Sequence, residues 1–314
     1  MNLEHSHLLE RSALGGTYAL ESVKWAQLEP GRFAVRYGVL DAGPVQLATR
    51  HVSVGFKIQA DVLPNKFMLG VVADSHTHAR WFGAHVDKGS IFATDSSIDV
   101  STQGPSWFHR ITIDEPSLAV DFPNAPDVLA LMEGVRSVTL ARDRVHAARV
   151  RAFVQRLFAI GNDLRTTLLP RVLPQKLIYG TLVPLLAAAI GGFGSHAIHP
   201  SRCTSRRLAA VRACEAFMRE HVDATVTLLD LSEASGMRSR SLINAFEAVT
   251  GYSPMDYLKR LRLNGVHGAL QGADKTQSRI IDVATDWGFW HMGHFANDYR
   301  LMFGETPSQT LLRS

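Results

Sequence analysis

The last third of the chain carries one pattern twice. Leu229-Asp-Leu-Ser-Glu-Ala-Ser-Gly236-Met237 and Ile281-Asp-Val-Ala-Thr-Asp-Trp-Gly288-Phe289 each read as a short amphipathic helix that stops at a glycine. A second helix follows each, with matching apolar pairs at Leu242/Phe246 and Phe295/Tyr299. Each second helix closes on a glycine and then a proline, Gly251/Pro254 and Gly304/Pro307. The step from turn glycine to the first core residue is one longer in the second copy (288 to 295, against 236 to 242), and the remaining register is preserved. Two short helices joined by a glycine turn form a helix-turn-helix, and a generic bundle has no reason to repeat the register. Gly236 and Gly288 suit the turn because glycine tolerates positive φ.

In such a unit the second helix enters the major groove of DNA while the first braces it across the backbone. Bulk charge does not carry this reading. The chain of 314 residues has a net charge of +4, and from Pro200 onward 14 Lys and Arg face 12 Asp and Glu. The length and the 46% hydrophobic content suit two globular domains.

Residues from about 30 to 121 read as short strands: 32–40, 45–58, 66–73, 80–86 and 107–113 carry β-branched or aromatic residues between Gly, Pro, Asp and Asn. This spacing predicts an all-β barrel or sandwich. The period then becomes helical over about 143–169, through Val150, Phe153, Val154, Leu157 and Phe158. Pro170 and Pro174 break that helix, and another spans about 175–190. The predicted organisation is an α+β multidomain chain with four parts: an effector-binding β-barrel over 1–142, a helical connector that dimerises over 143–192, a linker over 193–205, and an all-α tandem helix-turn-helix over 206–314. Helices are predicted over 206–221 and from Pro254 to about Leu270. Gly265 and Gly268 inside the latter helix suggest a joint that adjusts to bent DNA.

The stretch from Arg206 onward resembles the DNA-binding domain of the AraC/XylS family of bacterial regulators. Gly288-Phe-Trp-His-Met-Gly-His-Phe-Ala-Asn-Asp-Tyr-Arg-Leu-Met-Phe-Gly-Glu-Thr-Pro307 is close to that family's signature, and Arg262-Leu263, eight residues after Pro254, matches its linker helix. The resemblance implies recognition helices over about 239–250 and 291–303, entering successive major grooves roughly 34 Å apart. The base-reading candidates are Arg238, Arg240, Ser241 and Asn244 in the first helix, and His291, Met292, His294 and Asn297 in the second; Arg can pair with guanine and Asn with adenine. Arg300, Lys259 and Arg260 are read as phosphate contacts. Arg262 is read as an internal salt-bridge residue. Asn244 and Asn297 depart from the family, which often has arginine there.

Family members of this layout carry an N-terminal β-barrel that binds a small effector, and the resemblance implies a cupin-like barrel here. Arg32-Phe-Ala-Val-Arg36 and Asp99-Val-Ser-Thr-Gln-Gly104 resemble the cyclic-di-GMP signature of PilZ domains. Arg32 and Arg36 could pair with phosphate and the guanine edge, and Asp99 could accept from guanine. Ser101 could donate to phosphate, and Gly104 leaves room for close backbone approach. Arg202-Cys-Thr-Ser-Arg206 is a second R-x-x-x-R. The favoured expectation is a transcription activator controlled by cyclic-di-GMP; the alternative is the same regulator with another small metabolite. A third reading, a metal-dependent cupin enzyme fused to a DNA-binding domain, starts from His76 and His78 with His85 and His109. It lacks the glutamate that a cupin site wants between residues 79 and 84.

The expected protein is not an enzyme, and it has no catalytic residues, metal or cofactor. Its expected partners are an operator in double-stranded DNA, a small effector, a second copy of itself and RNA polymerase. Cys203 and Cys214 are too few for a disulfide framework. The N-terminus lacks a basic segment followed by an apolar one. The apolar stretch 182–194 falls short of the roughly 20 residues a membrane span needs. A cytoplasmic protein is therefore expected.

Overall fold

The computed structural model describes residues 20–42, 44–74, 76–121, 132, 139–164, 175–191, 202–274 and 277–313. The N-terminal half contains β1 (Leu20–Gln27), β2 (Val35–Ala42), β3 (Val45–Val52), β4 (Phe56–Val62), β5 (Lys66–Val72), β6 (His78–Trp81), β7 (Ala84–Val86), β8 (Ser90–Thr94), β9 (Ser97–Gln103), β10 (Ser106–Asp114) and β11 (Thr139–Arg142). They form two antiparallel sheets, ordered β1-β4-β9-β6-β7 and β11-β8-β5-β10-β3-β2.

Side-chain alternation decides what each face does. Phe56, Ile58, Ala60 and Val62 of β4, Ile98 and Val100 of β9 and Trp81 of β6 face the second sheet, meeting Val52, Met68 and Val72 in one apolar layer. The second sheet is apolar on its other face as well. There Val45, Leu47, Phe67, Leu69, Val71, Ile111 and Ile113 pack against Val150, Val154 and Leu157 of helix α2 (Arg144–Leu164) and Leu182 and Leu186 of α3 (Gln175–Gly191). A short helix α1 (Glu115–Asp121) follows β10.

No described ladder joins the two sheets. The strands make an open two-sheet sandwich, one of the two forms their spacing predicted, which corrects the cupin-like barrel that the resemblance implied. The run 45–58 is two strands, because the chain turns at Ser53 and Val54 before Gly55. Strands β1, β8, β9 and β11 lay outside the sequence reading. In β9 the reason is physical: both faces are buried, so polar Asp99 and Ser101 interrupt the apolar alternation without being exposed.

The C-terminal part is helical: α4 (Arg202–Glu220), α5 (Leu228–Ser235), α6 (Ser239–Thr250), α7 (Pro254–Gln271), α8 (Ile280–Asp286), α9 (Met292–Phe303) and α10 (Pro307–Arg313). Helix α4 begins at Arg202, inside the predicted linker, whose residues 193–201 fall outside the described part. The end of the predicted helix over 143–169, and Pro170 and Pro174, also lie outside it. Among the described residues no helix is long and apolar enough to cross a membrane.

Thr227 and Asp230 form a capping box at the start of α5, and Ser253 caps α7 with Pro254 in its first turn. Helix α7 spans two cores. Tyr257, Leu258 and Leu261 join the first with Leu231, Leu242 and Phe246; Leu263, Val266 and Leu270 join the second with Phe295 and Tyr299. The four core residues expected from the repeat are all buried. In the second core His267 Nδ1 lies 2.7 Å from the Tyr299 hydroxyl, which donates to Thr310 Oγ1 at 2.8 Å, and Thr310 in turn donates to Glu305 at 2.6 Å.

Gly236 and Gly288 have φ of 64° and 74°, as the turn chemistry requires. Gly265 does something other than flex. A Cβ there would sit 2.0 Å from the Trp287 indole, so this glycine lets α7 pack directly on the end of α8. That replaces the expected hinge role with a packing role. Gly288 is doubly constrained, since its Cβ would also lie 2.8 Å from the Val222 carbonyl, whereas open space surrounds Gly236. Gly236→Ala is expected to cost about 1 kcal/mol of left-handed strain. Gly288→Ala adds a backbone clash and is expected to cost about 2–4 kcal/mol. Thermal denaturation of the two variants side by side checks the order.

Candidate nucleic-acid interface and its docking to the sheets

The two helices expected to be recognition helices, α6 and α9, show the same construction. Their inward faces are buried, and neither receives a side-chain hydrogen bond at its N-cap, Arg238 and His291 respectively. Their first-turn amides take no cap from that side chain. Arg238, Arg240, Ser241 and Asn244 are exposed on the first unit, and His291, His294, Asn297 and Arg300 on the second; Met292 is half-buried against the second core. The structure thus places all of the predicted base-reading residues but Met292 on the exposed surface of their units.

Two predicted phosphate contacts are engaged elsewhere. Arg260 donates to the Leu28 carbonyl at 2.7 Å and to Asp256 O at 3.1 Å, with its guanidinium carbon 4.0 Å from the Tyr252 ring centre. It joins the helices to the sheet domain, which corrects its reading as a phosphate contact. Lys259 pairs with Asp298 on α9 at 2.6 Å and so braces α7 against the second recognition helix. Arg262, read as an internal salt-bridge residue, is half-buried and donates to the backbone carbonyl of Ala224, lying against Gly288; burial lowers its pKa while Asp223 opposes the change.

Three residues escaped the sequence reading. Arg206 and Arg207, exposed at the start of α4, share a cleft of about 450 Å3 with Arg238, Ser241 and Asn244. The adjacent arginines after Ser205 were the available signal. Trp290, 65% exposed, stands one residue before the N-cap of α9 and offers an apolar surface of the kind that meets thymine methyl groups.

Helices α4 and α6 are docked onto the five-stranded sheet. Lys57, Gln59, Asp99 and Ser101 alternate with the apolar residues of β4 and β9 and point outward, at α4 and α6. Lys57 Nζ is 2.5 Å from Glu215 and 3.6 Å from Asp99, with all three buried. Arg212 pairs with Asp99 at 3.2 Å, and Gln59 donates to both Asp99 and Glu215 at 3.0 and 2.8 Å. Ser101 donates to the Val249 carbonyl at 3.1 Å. Burial alone would raise the Glu215 pKa, but Lys57 and Arg219 outweigh it and hold the carboxyl below its usual range. Burial also pushes the Tyr257 hydroxyl, beside Glu215, well up.

A second tether runs from the end of β1. The Gln27 amide donates to Asn264 Oδ1 at 2.8 Å, and Asn264 Nδ2 returns a bond to the Gln27 carbonyl at 2.9 Å. The buried Gln27 side chain and the Gly31 amide both donate to the Met302 carbonyl, at 2.8 and 3.0 Å. Both helix-turn-helix units are thereby held by the same sheet.

This placement changes the reading of the effector motif. Asp99 and Ser101 belong to the docking network, and the Gly104 amide donates to Glu29 at 2.7 Å. Arg36 pairs with His51 across β2 and β3, on the side of the six-stranded sheet that carries Leu40 and Leu47 beneath α2 and α3. Asp99 and Arg36 therefore lie on the outward faces of opposite sheets. Arg32 is exposed beyond β1, and its carbonyl accepts from Ser53. The structure does not bring the five residues into one site.

His76, His78 and His85 are exposed, and His109 is buried with its pKa lowered to about 4 by burial and by Arg151. Among the described residues no group of three or more His, Cys, Asp or Glu is placed to hold a metal.

Residues 231–313 match the family model for a helix-turn-helix domain. Over 95 residues the chain is 41% identical to a XylDLEGF operon transcriptional activator of Pseudomonas putida, covering 30% of this chain and 60% of the relative. It is 29% identical over 111 residues to the regulatory protein HrpB of Ralstonia nicotianae, covering 35% of this chain and 23% of that protein. The chain thus spans less than two thirds of the length of either relative. Among solved structures it is similar to a probable AraC family transcriptional regulator from Rhodopseudomonas palustris, with 41% identity, 33% of this chain and 95% of that chain covered, and a TM-score of 0.31. It is also similar to the AraC-like transcriptional activator CuxR, with 11% identity over 84% of this chain and 91% of that one, and a TM-score of 0.40.

The engaged and free arginines are separable by salt dependence on duplex DNA. Arg300→Ala is expected to reduce the slope of log affinity against log salt by about 1. Arg260→Ala is expected to leave that slope unchanged and to weaken the docking of the helices on the sheets. Binding isotherms across a salt series check both.

Proposed function

Taking residues 206–314 as a DNA-binding domain of the AraC/XylS family, we propose that the protein is a sequence-specific transcription regulator whose sheet domain senses a small molecule. The observation that carries this reading is the pair of uncapped recognition helices, built on one register, with their polar faces exposed. Activation is the proposed mode, in keeping with the names of the P. putida relatives. Self-association through α2 and α3 and contact with RNA polymerase are part of the same proposal. Enzyme activity is not.

Control by a ligand finds its support in the docking. The strands that hold the latch residues Lys57, Gln59, Asp99 and Ser101 outward hold Phe56, Ile58, Ile98 and Val100 inward, where they line a cavity between the sheets. A ligand that binds one sheet arrangement better than another shifts the docked and released populations by its differential affinity. Cyclic-di-GMP as the effector would need Arg32 and Arg36 to meet Asp99 and Ser101 across the sandwich. A different small effector suits the geometry better.

Base-selection experiments with a randomised duplex test the function. The intact protein is expected to select two short motifs about one helical turn apart. Asn244→Ala is expected to erase an adenine preference in one motif, and Asn297→Ala in the other, each lowering specific affinity by about 10- to 100-fold. A protein that selects no motif overturns the reading.

A further inference from the structure

Each helix-turn-helix unit is preceded by one long helix, α4 or α7, and these two helices match in register. Val211, Cys214 and Met218 of α4 and Leu263, Val266 and Leu270 of α7 fill the same places in their cores. Their offset is constant (211 to 263, 214 to 266, 218 to 270) and is shared by the turn glycines, Gly236 and Gly288. The face turned to the sheets corresponds too: Arg212, bonded to Asp99, matches Asn264, bonded to Gln27. The protein therefore holds two copies of a three-helix unit, and a difference at equivalent positions marks a difference in what the two copies do.

The copies differ beside the turn glycine. In the second unit side chains occupy that place: the Arg262 guanidinium lies against Gly288, and Lys259 is paired with Asp298 at 2.6 Å. In the first unit the equivalents of Arg262 and Asp298 are Ala210 and Ala245, both buried and both short. The equivalent of Lys259 is Arg207, which has no Asp298 to brace it, and next to it Arg206 stands where α7 has the buried Leu258. What remains is the cleft of about 450 Å3 beside Gly236, the glycine surrounded by open space. Its lining carries three exposed guanidinium groups, those of Arg206, Arg207 and Arg238, and no carboxylate.

We propose that this cleft seats a phosphate of the DNA backbone, taken by Arg206 and Arg207, at the edge of the groove that α6 reads. Guanidinium forks match phosphate oxygens two at a time. A cleft lined by one sign of charge focuses its field on an anion. The remaining polar walls, Arg238, Ser241 and Asn244, are base-reading candidates, so the anion that fits is one joined to the bases they read. The second unit has no such clamp, because Arg262, Lys259 and Asp298 fill its place. The first unit thus grips the backbone from α4 as well as α6 and sets the register of the chain on the duplex. Arg212 and Glu215, on the same helix, belong to the docking network, so the sheets hold the clamp in position. The inference rests on the proposed reading of residues 206–314 as a DNA-binding domain, and it names the backbone contact that separates the two units.

Binding isotherms of the full chain across a salt series test it, on a duplex carrying the selected motifs and on one of shuffled sequence. The double variant Arg206→Gln/Arg207→Gln is expected to lower the slope of log affinity against log salt by about 1–2 and to weaken both duplexes by a similar factor, about 10-fold. Arg206→Lys/Arg207→Lys keeps the charge and is expected to keep the slope. Both side chains are exposed, so Tm is expected to stay within about 2 °C of the unmodified protein in either variant. Ethylation interference locates the contact: the phosphates whose modification ceases to matter in the glutamine variant are expected beside the motif that depends on Asn244. The inference is overturned if the glutamine variant keeps the slope, if it weakens the selected duplex alone, or if the positions it loses lie beside the motif that depends on Asn297. Any of these with motif selection intact removes the clamp and leaves the regulator. A chain that selects no motif, yet loses slope in the glutamine variant, removes the sequence-specific regulator and leaves the clamp.

Discussion

Lys57 is a buried ammonium placed between two carboxylates that come from different parts of the chain, Asp99 from the sheet and Glu215 from helix α4. A group of this kind is a poor source of net stability, because the desolvation of three charges offsets most of their attraction. It is a strong source of specificity. Any arrangement that separates the sheet from α4 strands a charge inside, unless water reaches it. Gln59, Arg212, Arg219 and Tyr257 complete the hydrogen bonding, so the docked arrangement leaves few of these groups unsatisfied.

From that contact the rest of the molecule takes its order. Because residues alternate along a strand, the latch on one face of β4 and β9 and the cavity wall on the other are made by neighbouring residues. In the proposed ligand control, a change of packing inside the sandwich would have only single peptide units to cross before it met the latch. On the helical side, Gln27 and Arg260 fasten the linker helix and the end of the second recognition helix to the same sheet. The sheet thereby fixes how the two units stand relative to each other, which is the quantity that decides whether both can enter one face of a duplex.

The sequence was most legible where period and turn chemistry agree. The repeated glycines, the buried pairs Leu242/Phe246 and Phe295/Tyr299, and the exposure of Arg240, Asn244, His294 and Asn297 all follow from a helical period read in register. The sheets were legible only in part. Strand β9 hides its outward face against another domain, so Asp99 and Ser101 looked like a ligand motif when they are interdomain contacts. Arg36 resembled their partner in sequence, yet strand parity sets it on the far side of the sandwich. Arg260 looked like a phosphate contact because nothing local reveals that the Leu28 carbonyl stands beside it. Gly265 read as a weak point in a helix until Trp287 supplied the reason for it.

The docking network is the claim on which the account stands, and a double-mutant cycle between Lys57 and Glu215 tests it most directly. Stabilities of the unmodified chain, Lys57→Met, Glu215→Gln and the double variant would be measured by denaturant unfolding with probes in both domains. The account predicts that each single change is costly, that the double change costs little more than either alone, and that the coupling is about 1–3 kcal/mol. Additive effects, within about 0.5 kcal/mol, would show that the two residues do not meet in solution and would contradict it.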